Sequence, residues 1–281
     1  ADNNVSFSVT AEGKYLTYQW KKDGDDLAGE NNASLNITDA NATLHDGNYT
    51  VVVSNDFGSV ETGSVSVQVS DALLNGLVGW WKFDETNGTV AYDSSGNGNN
   101  GNLTGGPTWV TGKIDGALSF DGLDDYVSIP ATSDLDLVHL NISAWINTSD
   151  YNQNGFIFEK TSNGQVNSQY NLFLNDNQTL YFRTTPASGN YHESRLATNI
   201  LTSWNFVSAS YDGITKKIFL NGNLSKSDSF SGTIVQNPNG ISLIGKHPPA
   251  NYFFNGLIDD VRIYDRALSA EEVQALYNLG Q

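Results

Sequence analysis

Residues 204–223 read WNFVSASYDGITKKIFLNGN, two short apolar runs separated and followed by turn residues. The runs Phe206–Tyr211 and Ile218–Leu220 flank Asp212-Gly213, and Asn221-Gly222 follows the second run. Because Asn-Gly tolerates a positive φ at both central positions of a two-residue turn, it is a strong hairpin signal. This stretch therefore predicts consecutive antiparallel strands joined by tight turns.

The same pattern extends in both directions along the chain. Ile142–Ile146 alternates apolar and polar residues, and Tyr170–Leu174 and Leu180–Arg183 are separated by the turn residues Asn175–Asn177. About a dozen such strands in some 200 residues, with no helical period between them, indicate two antiparallel sheets packed face to face. We therefore predict an all-β fold for residues 76–281.

The C-terminal segment has a different period. Ser269 and Glu272 form a capping box, in which each side chain satisfies an unpaired amide of a helix N-terminus. Val273 and Leu276 follow at helical spacing, and Gly280 is placed to end the helix. One short terminal helix is expected to lie against the sandwich.

Residues 1–70 predict a separate, smaller β-sandwich. Val65, Val67 and Val69 alternate with polar residues, which is typical of a strand with one buried and one hydrated face. The chain begins inside a strand-like pattern, so we expect an N-terminally truncated domain and a piece of a longer secreted or surface protein.

Composition limits the function. Fourteen basic residues against 31 acidic ones give a net charge of −17, which argues against nucleic acid and anionic membranes as partners. No apolar stretch approaches the roughly 20 residues of a transmembrane helix. Cysteine is absent, so disulfides and thiolate metal sites are excluded. We expect a monomer within a larger multidomain chain, and this composition together with the predicted fold fits a bacterial or archaeal surface protein.

The first domain resembles immunoglobulin-like domains. Tyr18–Trp20 followed by Lys22–Gly24 resembles the strand that carries the family's core tryptophan, and Leu44–Tyr49 resembles the approach to its tyrosine corner. Phe7 and Val51 stand where the family often has cysteines. The resemblance implies a sandwich held together by packing alone, with a spacer role.

The second domain resembles the laminin-G-like or concanavalin-A-like lectin jelly rolls in their bacterial form. The matching pieces, which occur in the family's order, are Gly79–Glu85, Asp93–Gly101, Leu118–Val127, Trp204–Val207, Tyr211–Gly213, Phe219–Gly222 and Gly256–Ser269. The resemblance implies a jelly roll and a carbohydrate-binding role, although the family is functionally broad.

Acidic residues suggest calcium as a cofactor. In this fold the first and last strands are neighbours, so Asp84 and Asp259 are expected to approach each other, and a cation would relieve their repulsion. The resemblance adds a carbonyl or amide near Asn97 as a third ligand. The alternative is that Asp259 pairs with Arg262 or Arg266.

A second acidic stretch, Asp121–Asp125, is either another calcium site or an ordinary Asp-Gly turn. The sequence leaves both interpretations open.

Candidate glycan-binding residues lie in loops, where an aromatic face can stack on a sugar and polar groups can bind its hydroxyls. They are Tyr191, His192 and the neighbouring Arg183, together with Tyr252 and Tyr151. The alternative for each aromatic residue is packing at the rim of the core.

No catalytic motif stands out. Glu159 and Glu193 are isolated glutamates, and no paired-carboxylate pattern of a glycosidase, nucleophile elbow or zinc motif occurs. The leading hypothesis is a non-catalytic carbohydrate-binding module appended to a polysaccharide-degrading enzyme. The alternatives are an adhesin or surface-array segment that binds protein or host glycan, and a polysaccharide-degrading enzyme.

Overall fold

The computed structural model describes residues 5–38, 45–67, 73–148, 154–161, 168–175, 177–198, 200, 203–248 and 252–281. The chain divides into two compact units, Ala1–Leu73 and Leu74–Gln281. Each unit is built from antiparallel strands.

The first unit contains two small sheets. Its strands are β1 (Val5–Ser8), β2 (Thr17–Lys22), β3 (Asp25–Asp26), β4 (Ser34–Ile37), β5 (Gly47–Asn55), β6 (Gly58–Glu61) and β7 (Val65–Val67). One sheet pairs β1 with β4, and the other has the order β3-β2-β5-β6, with β7 also pairing with β5.

The core of the first unit is aromatic. Trp20, Leu35, Tyr49 and Val51 are buried, and the ring of Phe7 stacks on that of Tyr49 at 5.2 Å. The Tyr49 hydroxyl donates to the carbonyl of residue 45, four residues upstream, at 2.9 Å. That bond ties the start of β5 back onto the preceding loop.

The second unit is formed by the remaining strands and one helix. These are β8 (Leu77–Trp81), β9 (Val90–Ala91), β10 (Gly101–Thr104), β11 (Thr108–Thr111), β12 (Gly116–Asp121), β13 (Tyr126–Ile129), β14 (Leu140–Thr148), β15 (Gly155–Lys160), β16 (Tyr170–Leu174), β17 (Thr179–Thr184), β18 (His192–Ala197), β19 (Asn205–Tyr211), β20 (Thr215–Leu220), β21 (Asn223–Ser229), β22 (Ser242–Ile244), β23 (Lys246–His247), β24 (Tyr252–Phe253), β25 (Asn255–Tyr264) and α1 (Ala270–Asn278).

Two eight-stranded sheets face each other across one core. Sheet A has the order β18-β17-β16-β15-β22-β13-β10-β9. Sheet B has the order β11-β12-β25-β14-β19-β20-β21, and β8 also pairs with β25. Side chains such as Trp81, Ile142, Phe158, Phe182 and Ile263 fill the space between the sheets. The predicted all-β jelly roll with a short C-terminal helix is confirmed.

The predicted hairpin turn at the end of β20 is also confirmed. Asn221 has φ +50° and Gly222 has φ +79°. Both central residues are therefore left-handed, as a two-residue turn between twisted strands requires.

Strand β14 is buried on both faces, although its alternating sequence is typical of a half-exposed strand. Ile142, Ala144 and Ile146 belong to the core. On the opposite face Trp145 stacks on Tyr277 of α1, with ring centroids 5.5 Å apart. The helix therefore covers the face that the alternation would leave in water.

The predicted capping box is present at the start of α1. Ser269 accepts a hydrogen bond from the Glu272 amide, and Glu272 accepts one from the Ser269 amide. The predicted role of Gly280 is wrong, because the helix ends on Leu279 in a right-handed conformation. Instead, a Cβ at position 280 would lie 2.6 Å from the ring of Trp145, so the glycine permits close packing.

Across the described ranges, no helix is long and apolar enough to cross a membrane.

Candidate functional site

Two features of the second unit group side chains of a kind that can bind an ion or a ligand. The first is an acidic cluster where β8 meets β25. Asp259 is fully buried, and its Oδ2 accepts hydrogen bonds from the amides of Lys113 and Ile114, both at 2.8 Å. Asp84 follows β8, and its Oδ1 accepts the Gly116 amide at 2.9 Å. The loop between β11 and β12 therefore holds both carboxylates.

The carboxylates in this cluster raise one another's pKa. Burial raises the pKa of Asp259 to about 8, and the charges of Asp260 and Asp84 add to the rise. Partial burial also raises the pKa of Asp84, as do the charges of Asp115 and Asp260. The structure therefore brings Asp84 and Asp259 together and adds Asp260 as a third acid.

The arginines near β25 bind other acids. Arg262 donates to Oδ1 of Asp260 at 3.1 Å, and Arg266 pairs with Glu272 at 2.6 Å. The alternative in which one of these arginines pairs with Asp259 is thus not what the structure shows.

The unpaired oxygens of the acids near this cluster are of the type that a hard cation binds. Oδ1 of Asp259, Oδ2 of Asp260 and Oε2 of Glu85 are buried and have no hydrogen-bond partner within the described residues. These oxygens are of the type that calcium prefers, although within the described residues only Asp121, Asp124 and Asp125 bring three such ligand atoms within 4.8 Å of one another. Asp84 and Glu85 also line an open cleft of about 510 Å³.

Asn97 lies apart from this cluster. Its side-chain amide donates to the carbonyl of Leu77 at 3.2 Å, at the beginning of β8, whereas Asp84 follows the end of that strand. The Asp93 carboxylate organises the loop by accepting the amides of Ser95 and Asn99, each at 2.9 Å. The expectation that Asn97 completes the metal site is therefore not supported by its position.

The second acidic stretch forms a hydrogen-bonded turn. The carboxylate oxygens of Asp121, Asp124 and Asp125 lie within 4.8 Å of one another. Asp125 accepts the Asp121 amide at 3.0 Å, and Asp121 accepts the Leu123 amide at 2.8 Å. These bonds account for the arrangement as a turn.

The second feature is a run of stacked rings on the outer face of sheet A, which we call the aromatic strip. Phe156 stacks on Phe173 at 4.5 Å, and Phe173 stacks on Tyr181 at 4.8 Å. On its other side Phe156 stacks on His247 at 4.4 Å, and the Tyr252 ring is 6.2 Å from that of His247. The strip crosses β17, β16 and β15 and ends on the β23–β24 hairpin.

A line of polar residues runs beside the strip, which we call the polar row. Cross-strand pairing places Glu159 opposite Asn171, Asn171 opposite Arg183, and Arg183 opposite Glu193. The alternate residues Phe158, Leu172 and Phe182 point into the core, so the polar row and the strip share the outer face. The aromatic strip and the polar row together form the candidate glycan-binding site.

The charges of the polar row are internally paired. Glu159 accepts Ser168 Oγ at 2.7 Å and lies 2.6 Å from His247 Nδ1. Glu193 bridges Arg183 and Arg195, each at 2.5 Å. Burial acts to raise the pKa of Glu193, but the hydrogen bonds from the two arginines outweigh it and lower that pKa.

Three of the predicted ligand residues lie at this site. The guanidinium of Arg183 lies 4.2 Å from the exposed ring of Tyr191 and 5.1 Å from the ring of Phe173. Tyr252 lies at the far end of the aromatic strip. Tyr151 falls outside the described residues.

His192 points the other way, which corrects its predicted role. It follows Tyr191 directly, so alternation along β18 turns its ring inward, where it stacks on Phe230 at 4.1 Å. Its carbonyl accepts a hydrogen bond from the buried Lys216 ammonium at 2.6 Å. Burial lowers the pKa of Lys216 to about 7.

The sequence did not predict Phe156, Phe173 or Asn171 as site residues. A register shift in the pairing of β15 with β16 turns Phe156 to the outer face while Ile157 and Phe158 both pack in the core. Simple alternation does not reveal such a bulge.

The concanavalin A-like lectin/glucanases superfamily profile matches residues 120–274, more than half of the chain. The chain therefore belongs to this superfamily. Among curated proteins, none matches its sequence.

Several solved structures share the fold at low identity. Domain 4 of AbnA, an extracellular arabinanase of Geobacillus stearothermophilus solved with arabinotriose, is 21% identical with a TM-score of 0.58, and the match covers 73% of this chain and 98% of that domain.

Toxin binding domains give similar scores. The receptor-binding domain of botulinum neurotoxin mosaic serotype C/D is 16% identical (TM-score 0.60), and that of Paraclostridial Mosquitocidal Protein 1 is 19% identical (TM-score 0.58). Each match covers 73% of this chain but only 51% and 52% of those domains, so the chain spans about half their length.

Proposed function

We propose that the second unit is a non-catalytic carbohydrate-binding module of a secreted or cell-surface protein. The observation that carries the proposal is the aromatic strip lying beside the polar row on one face of sheet A. The inner rings Phe156 and Phe173 are buried, so the surface on which the C–H face of a sugar can stack is offered by the half-buried rings of Tyr181 and Tyr252 at the ends of the strip and by the exposed ring of Tyr191. The adjacent polar groups can bind the hydroxyls of that sugar. Tyr191, Arg183 and Tyr252 border this surface.

The similarity to the arabinanase domain supports the same proposal, because that domain was solved with a bound trisaccharide. Arabino-oligosaccharides are therefore sensible first probes for this chain. The toxin domains, which bind receptors, are consistent with recognition rather than catalysis at this fold.

The spacing of the glutamates argues against hydrolysis at the site. Glu159 and Glu193 are three strands apart in the polar row, so their backbones are separated by about 14 Å. A glycosidase carboxylate pair stands at roughly 5–9.5 Å. Each of the two side chains also has its own cationic or histidine partner, which holds it in place.

We also propose that calcium binds the acidic cluster, held by Asp84, Asp259 and Asp260. The ion would supply positive charge to oxygens that otherwise lack partners, and it would join the first and last strands of the jelly roll. For the first unit we propose an immunoglobulin-like spacer, supported by the Trp20 core and the Tyr49 hydroxyl bond.

The test is a glycan-array and polysaccharide-retardation screen, run in calcium and again in a chelator, with Tm recorded in both. Binding of one sugar class by the wild type, lost in Tyr191→Ala and Tyr252→Ala, supports the module. If calcium raises Tm but no glycan binds, the carbohydrate proposal fails and an adhesin that binds protein takes its place. If calcium changes neither binding nor Tm, the calcium proposal fails.

A further inference from the structure

Asn171 stands at the centre of the polar row and is fully buried. Neither Oδ1 nor Nδ2 of its side chain has a hydrogen-bond partner in the described part of the chain. Each buried polar group left unpaired costs about 1–3 kcal/mol. A central strand residue that keeps two such atoms therefore suggests that something outside the chain binds them.

The neighbours of Asn171 do not supply these bonds and are bound to other partners. Both carboxylate oxygens of Glu159 are used, by Ser168 and His247. Arg183 donates through Nε and a terminal nitrogen to Glu193. Asn171 thus keeps a free donor and a free acceptor side by side.

The charges and rings around Asn171 determine which class of ligand can bind there. The formal charges of Glu159, Arg183, Glu193 and Arg195 sum to zero, so neither a carboxylate nor an ammonium group is favoured. The exposed ring of Tyr191, which lies over Arg183, the cross-strand neighbour of Asn171, supplies a ring face near that amide. A ring face beside an amide with both hydrogen-bonding functions fits a sugar with adjacent neutral hydroxyls.

We infer that Asn171 is the hydrogen-bonding anchor for a neutral sugar residue and determines the specificity of the site. This inference rests on the proposed carbohydrate-binding function. The Tyr191 ring is 52% exposed and stacks on Arg183, the cross-strand neighbour of Asn171. A sugar hydroxyl that displaces Tyr191 from Arg183 would reach the buried amide.

The test compares Asn171→Val with Asn102→Val in the full chain. Asn102 is an exposed asparagine in β10 of the same sheet, so it controls for the change in strand propensity. The probes are arabinotriose and a galacturonic acid trimer of similar size, followed by calorimetry. Asn171→Thr is a milder variant of nearly unchanged volume that covers the case in which Asn171→Val does not fold.

We expect Asn171→Val to raise Tm by about 4 °C or more, since it removes two unpaired groups. It should also weaken arabinotriose binding by about 10-fold to 100-fold. Asn171→Thr should weaken binding by a smaller factor, and Asn102→Val should leave it unchanged.

Other outcomes overturn the inference in distinguishable ways. Unchanged binding by Asn171→Val and Asn171→Thr, with a wild type that binds, removes the anchor role and leaves the proposed function intact. A lower Tm for both variants means that an internal water satisfies the amide. Preference of the wild type for the galacturonic acid trimer refutes the neutral-sugar class. A wild type that binds neither probe nor any array glycan refutes the proposed function and the inference together.

Discussion

Replacing Asp259 by asparagine should have opposite effects on stability with and without calcium. The pKa of Asp259 is raised from 3.8 to about 8 in the folded chain. At pH 7 the unfolded carboxyl is ionised while the folded one is mostly protonated, which destabilises the fold by up to about 4 kcal/mol. Asparagine keeps an acceptor for the Lys113 and Ile114 amides but carries no ionisable group.

In a chelator at pH 7, Asp259→Asn should therefore unfold at a higher temperature than the wild type. Each kcal/mol corresponds to about 2–4 °C for a domain of this size. Because the folded pKa is raised, the stability that the wild type holds below pH 4 is lost as the pH rises toward 8. The advantage of the variant should vanish near pH 4 and be largest near pH 8.

Calcium should reverse the order. Above about 1,000 times its Kd the ion stabilises the wild type by more than about 4.1 kcal/mol, which exceeds the cost of the buried carboxyl, and the variant gains little. Differential scanning calorimetry, which can follow the second unit separately, is the assay. Asp124→Asn, an exposed acid in the other cluster, is the control and should change neither curve. A variant that is less stable than the wild type in chelator, with equal calcium gains in both proteins, would refute the reasoning.

Three further predictions concern other parts of the second unit. Lys216→Met should stabilise the fold by about 2–4 kcal/mol at pH 6, because the pKa of Lys216 is lowered in the folded chain. Wild-type stability therefore rises between pH 6 and pH 10, and the gain of the variant fades over that range. Denaturation at several pH values checks this prediction. Gly280→Ala should destabilise by about 1–3 kcal/mol, since its Cβ would meet the ring of Trp145, and an unchanged Tm contradicts this packing. His192→Ala should spare glycan binding that Tyr191→Ala abolishes, as calorimetric titration of both variants will show.

Local chemistry determined much of this fold. The capping box of α1 and the two-residue turn at Asn221-Gly222 form as the sequence predicts, because each depends on hydrogen bonds or backbone angles within a few residues. The all-β class followed from strand-length runs and turn residues for the same reason. The pairing of β8 with β25, which joins Asp84 to Asp259, followed only from resemblance to a known fold.

The set of residues on the outer face of sheet A was determined by the tertiary structure alone. Glu159, Asn171 and Arg183 are separated by up to 24 positions in the chain, and only the register of β15, β16 and β17 makes them neighbours. A one-residue slip would turn every side chain of a strand to the opposite face, as the inward position of His192 beside the outward Tyr191 illustrates. Register is set by contacts between distant strands and by a bulge that no local pattern announces, so the sequence specified the sheets while the packed structure selected the residues of the site.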